Sequence, residues 1–442
     1  MRSYVFKRLT VLGMLVVFML AGLGLSGQVL AGVAAAPKTL DRNLEAVVVE
    51  GAAVSSLSGA PLAQLFIYSY TGSALAGQIP LQIDEVTAGG AYTTTEDGLL
   101  DANDQLVFMA ADLGDQRPAT PTLTATLPIS DTWFEIEVTD PTSGKQGWAY
   151  LVRSTILTPN VSANYVDYIT ATRRITASQY VLGFSISHPG FNELSLNQSG
   201  LDILDRAKLR AVLDNVPFLG SVSLTEDDLP APATVPLKDG PVRVILQQAA
   251  AANVLGNQAS FEVTYLAYAS MFQATSRTSF TLSGGITISS VRTSLDLNSA
   301  ATGATFYNAH TPAGVPIDGV PDAVTTTLST WSQVSTTTGR MIQVNDLTAA
   351  SGTQQTYYKD DSSTDPTDTG DQRSFGDAGL LFSGSISSPF TVRNSTFILP
   401  AAAGENVGDA HQNFVNNPLQ VVLRASDQQA IDLNIYLPLI LK

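Results

Sequence analysis

Two stretches of this chain gather carboxylates closely enough to do chemistry. The longer runs from Tyr357 to Asp377 and holds Asp360, Asp361, Asp365, Asp368, Asp371 and Asp377 against Lys359 and Arg373. Only 14% of the chain is charged, so this crowding is costly unless the loop extends into water or holds a cation. The ion such oxygens suit is a hard one, Ca2+ above all. A solvated loop is the plainer alternative. The shorter stretch, from Glu96 to Asp104, sets Asp97, Asp101 and Asp104 around the bend at Gly98. It lacks the Asp-x-Asp-x-Asp opening and the closing Glu of a calcium loop. Its plainer reading is a hairpin or capped turn in which Asp101 accepts backbone N–H groups.

Other reactive groups are sparse. Cysteine is absent, which excludes disulfides, thiol nucleophiles and cysteine zinc sites. His188, His310 and His411 stand singly, with no pair at zinc-binding spacing, and each reads as a surface or loop residue. Neither a Gly-x-Ser-x-Gly elbow nor a Gly-rich phosphate loop occurs. Members of a histidine triad can lie far apart in sequence, so spacing leaves that chemistry open. Sugar lyase or epimerase chemistry would need a base beside a sugar carbon and a cation facing a carboxylate. The one cluster that could supply them is His310, Tyr357, Tyr358, Lys359 and Arg373.

The elements that must position these residues read as strands. Short runs rich in β-branched and aromatic residues recur between Gly, Pro, Asn and Asp. Trp133–Val138 alternates Phe134, Ile136 and Val138 with Glu135 and Glu137, the mark of a sheet with one packed face. The expected fold is mostly β, built as β-sandwich domains with few helices. Residues 40–154 form a first β domain, 155–236 a connecting region, and 237–442 a larger β-sandwich. Leu201–Leu213 fits helix or strand, Glu405–Asn416 reads as a helix, and Glu226–Pro236 reads as a linker.

The segment Ile79-Pro80-Leu81-Gln82-Ile83-Asp84-Glu85, followed by Asp97 to Phe108, resembles a pattern in secreted bacterial β proteins of unassigned function. Some of these carry supersandwich domains similar to galactose mutarotases and polysaccharide lyases. The resemblance implies that the larger domain is a supersandwich. It covers about thirty residues and no catalytic position.

Composition and charge narrow the partners. A formal charge of −16 disfavours nucleic acid and anionic membranes. The first 31 residues combine a basic head (Arg2, Lys7, Arg8), an uncharged run from Leu9 to Leu25 and small residues at Val29 and Ala31, with Val33 and Ala35 as the alternative exit just beyond. That is a secretory signal peptide, with a membrane anchor as the alternative. The tail Tyr436–Lys442 lacks a sortase motif and fits a last edge strand or an export tail. Together these features point to an exported or cell-surface β-sandwich protein without membrane insertion after cleavage. It would be a non-enzymatic binding or structural module, with carbohydrate as the favoured ligand and a carbohydrate-active enzyme as the alternative. Intact mass spectrometry of protein from its own host should show a mature chain starting between Gly32 and Pro37. A dominant species retaining Met1 would favour the anchor.

Overall fold

Period-two alternation builds the layers of this chain. In the strand Trp133–Thr139, Phe134, Ile136 and Val138 are buried while the residues between them stay half-exposed, as expected for a sheet packed on one face. The computed structural model describes residues 35–426 apart from Glu96, Thr120, Asp131 and Leu255, together with the backbone of Ile431–Leu433. The expected signal segment 1–31 and the tail Tyr436–Lys442 lie outside the described residues. The protein is mostly β, with antiparallel sheets stacked as sandwiches.

The first unit packs a three-stranded sheet against a six-stranded one. The smaller holds Ala46–Glu50, Gln105–Met109 and Gln82–Asp84; the larger includes Leu65–Thr71, Trp133–Thr139 and Gln146–Arg153. Val47, Val49, Leu106 and Phe108 meet Ile67, Phe134, Ile136 and Leu151 between them. Gln420–Ala425 pairs with Trp133–Thr139, so residues near the C-terminal end close the unit that begins near residue 40. That pairing crosses the boundaries drawn from sequence, because a strand's partner is not written in its own residues.

The second unit pairs a nine-stranded sheet with a five-stranded one. The five-stranded order is Gly220–Thr225, Leu204–Val216, Thr287–Leu297, Ser374–Ser383 and Thr353–Asp361. At the centre of the nine-stranded sheet, Asn257–Ala267, Met271–Thr281, Phe390–Leu399, Arg340–Asp346 and Trp331–Ser335 lie side by side. A four-stranded sheet between Val166 and Leu196 adds Tyr180, Leu182, Phe191 and Leu194 to the same core as Val244, Tyr265, Phe272 and Phe306. Residues 155–236 therefore carry strands of their own rather than serving only as a connection. The ambiguous segment near Leu209 is a strand, since Ala211 and Leu213 pack on Val291, Leu380 and Phe382. The proline-rich stretch becomes a 3-10 turn at Glu226–Asp228 and the edge strand Ala233–Asp239, with Pro236 at its bulge. An edge strand tolerates a missing N–H there. The helix Gly408–Asn416 falls inside its expected range.

The other face of the nine-stranded sheet rests on the three-stranded one. Ile245, Leu266, Met271, Ile342 and Phe397 meet Val48, Val107 and Met109. Within this layer lies Arg243, wholly buried. Its Nε donates to Asp84 Oδ2 at 2.7 Å, Nη2 to Gln105 Oε1 at 2.7 Å and Nη1 to the Tyr268 hydroxyl at 3.1 Å. Gln82 adds a second clamp, accepting the backbone N–H groups of Val242 at 3.0 Å and Arg243 at 2.9 Å. A buried guanidinium without its carboxylate is strongly unfavourable, so these bonds fix one docking position for the two units. Arg243→Met should lower the free energy of unfolding by about 3–5 kcal/mol in a denaturant titration, because it strands Asp84. The double change Arg243→Met with Asp84→Leu should recover part of that loss. Equal losses for the single and double variants would show that the pair does not act as a unit.

Candidate functional site

Three strands of the five-stranded sheet place charges on its outer face. Ala207, Leu295 and Ala378 face the core, so their neighbours Lys208, Asp296 and Asp377 turn outward by strand alternation. The loop 362–373 folds back over them. Lys208 has no solvent exposure, and its Nζ lies 2.5 Å from Asp296 Oδ2, 2.7 Å from Asp368 Oδ2 and 4.0 Å from Asp377 Oδ2. Arg210 Nη2 donates to Asp368 Oδ1 at 2.8 Å and to Thr369 Oγ1 at 2.6 Å. Glu226, also buried, accepts from Arg210 and from the backbone N–H of Leu209. Arg292 lies 4.2 Å above the Tyr357 ring and reaches Asp377 Oδ2 at 3.8 Å.

These contacts pull the carboxyls in opposite directions. Burial, and then the charge of Asp377, push Asp296 up to about 8 despite the adjacent Lys208. Burial would also raise Asp368, but hydrogen bonds and charge from Lys208 and then Arg210 outweigh it and bring the group to about 2.

The residues marked by sequence meet different fates. Asp360 is buried and anchors backbone: Oδ2 accepts Asp318 N–H at 2.9 Å and Gly319 N–H at 3.0 Å, and Oδ1 accepts Gly376 N–H at 3.1 Å. Asp361 accepts Ser363 N–H, and Asp365 accepts Thr367 N–H, each at 3.0 Å. Asp371 accepts Arg373 N–H at 2.9 Å, and one of its oxygens also lies within 4.8 Å of carboxylate oxygens of Asp205 and Asp296. In the shorter loop, Asp97 caps Leu99 N–H at 2.8 Å and buried Asp104 caps Asp101 N–H at 2.7 Å, while the Asp101 side chain is exposed. Tyr357 and Tyr358 project to opposite faces, as neighbours on a strand must: Tyr357 lies under Arg292, and Tyr358 stacks on Phe306 with centroids 4.4 Å apart. His310 bonds Leu328 O at 3.0 Å at an exposed turn, apart from both rings. His188 and His411 are buried rather than at the surface, each with Nδ1 on a backbone carbonyl, which satisfies the ring without solvent. The partners Lys208, Arg210 and Asp296 were not marked by sequence. Their one signal was the run of cations at Arg206, Lys208 and Arg210 on alternate positions of a strand.

A second feature lies between the sheets. Opposite Leu209, Thr293, Leu295 and Leu380, the inner face of the nine-stranded sheet turns polar, at the wall of a cavity of about 150 Å³. Ser332 pairs with Gln343, Gln343 with Thr396, and Asn345 with Asn394 across adjacent strands. Asn394 Nδ2 donates to Asn345 Oδ1 at 3.0 Å, and Thr396 Oγ1 donates to Asn394 Oδ1 at 2.6 Å. The side chains of Ser332 and Gln343 have no hydrogen bond to other described residues. Ala274, Ser276, Gln343, Asn345 and Asn394 remain half-buried, so the sheets part here and water reaches in. Phe261, Phe272 and Phe306 supply apolar walls, and the one charged residue along the lining, Lys208, sends its ammonium to the sheet's outer face. A groove of about 140 Å³ on the opposite face is lined by Gln247, Glu262, Thr264, Thr275, Asp346 and Arg393 among others. Its polar groups already bond one another, Gln247 to Glu262 at 2.7 Å and Arg393 to Asp346 at 3.1 Å.

No protein-family model matches the sequence, and no curated protein matches it. Solved structures of similar shape include two glycosidases and a polysaccharide lyase. An alpha-mannosidase from Enterococcus faecalis V583 aligns with a TM-score of 0.45 and 9% identity, over 87% of this chain and 45% of its own. An alpha-N-acetylgalactosaminidase from Bifidobacterium bifidum aligns at 0.39 and 13%, over 55% of this chain and 38% of its own. A polysaccharide lyase aligns at 0.26 and 8%, over 56% and 38%. This chain thus spans less than half the length of each. At such scores the likeness passes no activity to this chain.

The ion network makes the acid limb of stability predictable. Asp368 titrates lower in the folded chain than its unfolded value of about 3.9. Its contribution is therefore complete above about pH 4 and is lost as pH falls through about 2. Asp368→Asn should cost about 1–2 kcal/mol at neutral pH and flatten the unfolding profile below about pH 4. An unchanged acid limb in urea titrations at several pH values would contradict this role.

Proposed function

We propose that this chain is an exported, non-enzymatic β-sandwich protein that binds neutral carbohydrate in the cleft between its five- and nine-stranded sheets. The observation that carries the reading is the row Ser332, Gln343, Asn345 and Asn394, polar on an inner face and reachable by water, opposite an apolar wall. A sugar ring is two-sided in the same way, with hydroxyls at its edge and C–H groups on its face. Amide and hydroxyl side chains both donate and accept, which matches hydroxyls without selecting charge. Apolar walls with a few convergent polar groups are the usual build of a ligand pocket. An anionic ligand finds no cation facing it, because Lys208, the one charged residue along the lining, turns its ammonium to the outer face, onto Asp296 and Asp368. The lining offers amides and hydroxyls in place of the flanking carboxyl pair that glycoside hydrolysis uses. Export rests on the basic head and uncharged run of the first 31 residues.

A screen of the mature protein against neutral and acidic oligosaccharides, followed by calorimetry on the hits, tests the reading. Neutral glycans should bind, without turnover. Gln343→Ala and Asn394→Ala should each weaken binding about tenfold, the loss expected for one or two hydrogen bonds, while circular dichroism stays unchanged. Binding only to acidic glycans, or affinity indifferent to both changes, would overturn it.

A further inference from the structure

We infer that the carboxylate cluster beneath the loop 362–373 is a divalent-cation site, with Asp205, Asp296 and Asp371 as its protein ligands and Ca2+ as the ion it takes. One oxygen of each carboxylate lies within 4.8 Å of the others. Acidic side chains often gather without an ion, so proximity alone would not suffice.

The second observation is a set of buried oxygens with nothing to bond. Asp377 is wholly buried, yet neither of its carboxylate oxygens has a hydrogen-bond donor, and the nearest cationic atoms stand off at 3.8 and 4.0 Å. Ser374 is wholly buried with an unpartnered Oγ, and Asp205 Oδ2 is also without a donor. Asp377 is next to Asp296, since both face the Lys208 ammonium, at 4.0 and 2.5 Å. The backbone N–H of Phe375 donates to Asp296 Oδ1 at 3.3 Å, which sets the segment of Ser374 and Asp377 against Asp296. Buried polar atoms are nearly always paired, so a cluster of orphan oxygens marks a missing donor or ion. Water alone could bond some of them, but it would leave the charge unbalanced. Arg206, Lys208, Arg210 and Arg292 face Asp205, Glu226, Asp227, Asp296, Asp368, Asp371 and Asp377. Carboxylates exceed cations even with Lys208 in place.

The backbone is shaped for this approach. Gly370 has φ 75°, and a Cβ there would sit 1.9 Å from Asp205 Oδ2, so a side chain at this position would drive the loop away. Three carboxylates from two strands and a loop, completed by water, suit the irregular oxygen shell of Ca2+ better than the strict octahedron of Mg2+.

The test is independent of the glycan reading. Chelator-treated full-length protein is titrated with CaCl2 by calorimetry, with melting temperature followed in parallel. One saturable site is expected, with a dissociation constant of about 0.1–1 mM, as in extracellular modules. MgCl2 should bind more weakly, and NaCl at equal ionic strength should not reproduce the rise in melting temperature. Asp371→Asn, at the exposed side, should weaken Ca2+ at least about tenfold, and Gly370→Ala should also weaken it. The double change Asp361→Asn with Asp365→Asn should leave it unaltered. Should Asp296→Asn fail to fold, Asp371→Asn and Asp205→Asn still decide the matter. No saturable Ca2+ binding in the parent, unchanged binding in Asp371→Asn and Asp205→Asn, or loss in the Asp361/Asp365 control would overturn the site.

Discussion

A sandwich of two sheets imposes one rule on its inner faces: every side chain there is apolar, or its polar atoms find partners. An amide left unpaired in a dry core costs roughly 1–3 kcal/mol. This protein keeps the rule over most of the interface, where Tyr265, Phe272, Phe306 and Ile398 fill the space. It breaks the rule along Ser332, Gln343, Asn345 and Asn394. The two sheets cannot close on that row without stranding its amides, so they part and leave a wet cleft. The cleft follows from chemistry at these four positions, and the proposed recognition of hydroxyls rests on the cleft.

The opposite side of the five-stranded sheet solves a different problem. Six aspartates lie in or flank the loop after Tyr358, and the fold answers their repulsion in two ways. Turn hydrogen bonds absorb Asp361 and Asp365, while Lys208 and Arg210 draw Asp368 down onto the sheet. Arg243 does similar work between the two units, where it holds Asp84 and Gln105. Buried ion pairs of this kind add little net stability, but they penalise any other arrangement heavily. Arg243 thus fixes where the units dock, and Lys208 with Arg210 fixes where the loop lies.

The strands were legible because alternation is local: Phe134, Ile136 and Val138 show their buried face within seven residues. Alternation also separates Tyr357 from Tyr358, so a site using both rings together conflicts with the strand on which they lie. The acidic loop was visible as composition, but its partners were not. Lys208 and Asp368 are 160 residues apart, and nothing at either position names the other. The cleft was hidden for a subtler reason. Gln343 lies between Ile342 and Val344 and reads as the wet side of a half-buried strand, whereas Ile342 and Val344 actually pack toward the first unit. Both faces of that sheet are covered. A single strand cannot reveal this, because coverage is a property of the layers around it.

The central claim is that the polar row inside the sandwich recognises a neutral sugar. A crystal structure of the protein soaked in a neutral oligosaccharide addresses it most directly. The account predicts a sugar ring in the cleft, with hydroxyls within about 3.2 Å of the Gln343 and Asn394 amides and its C–H face toward the apolar wall. A cleft holding only water at saturating sugar, or a sugar seated instead in the groove beside Gln247, Glu262 and Arg393, would contradict it.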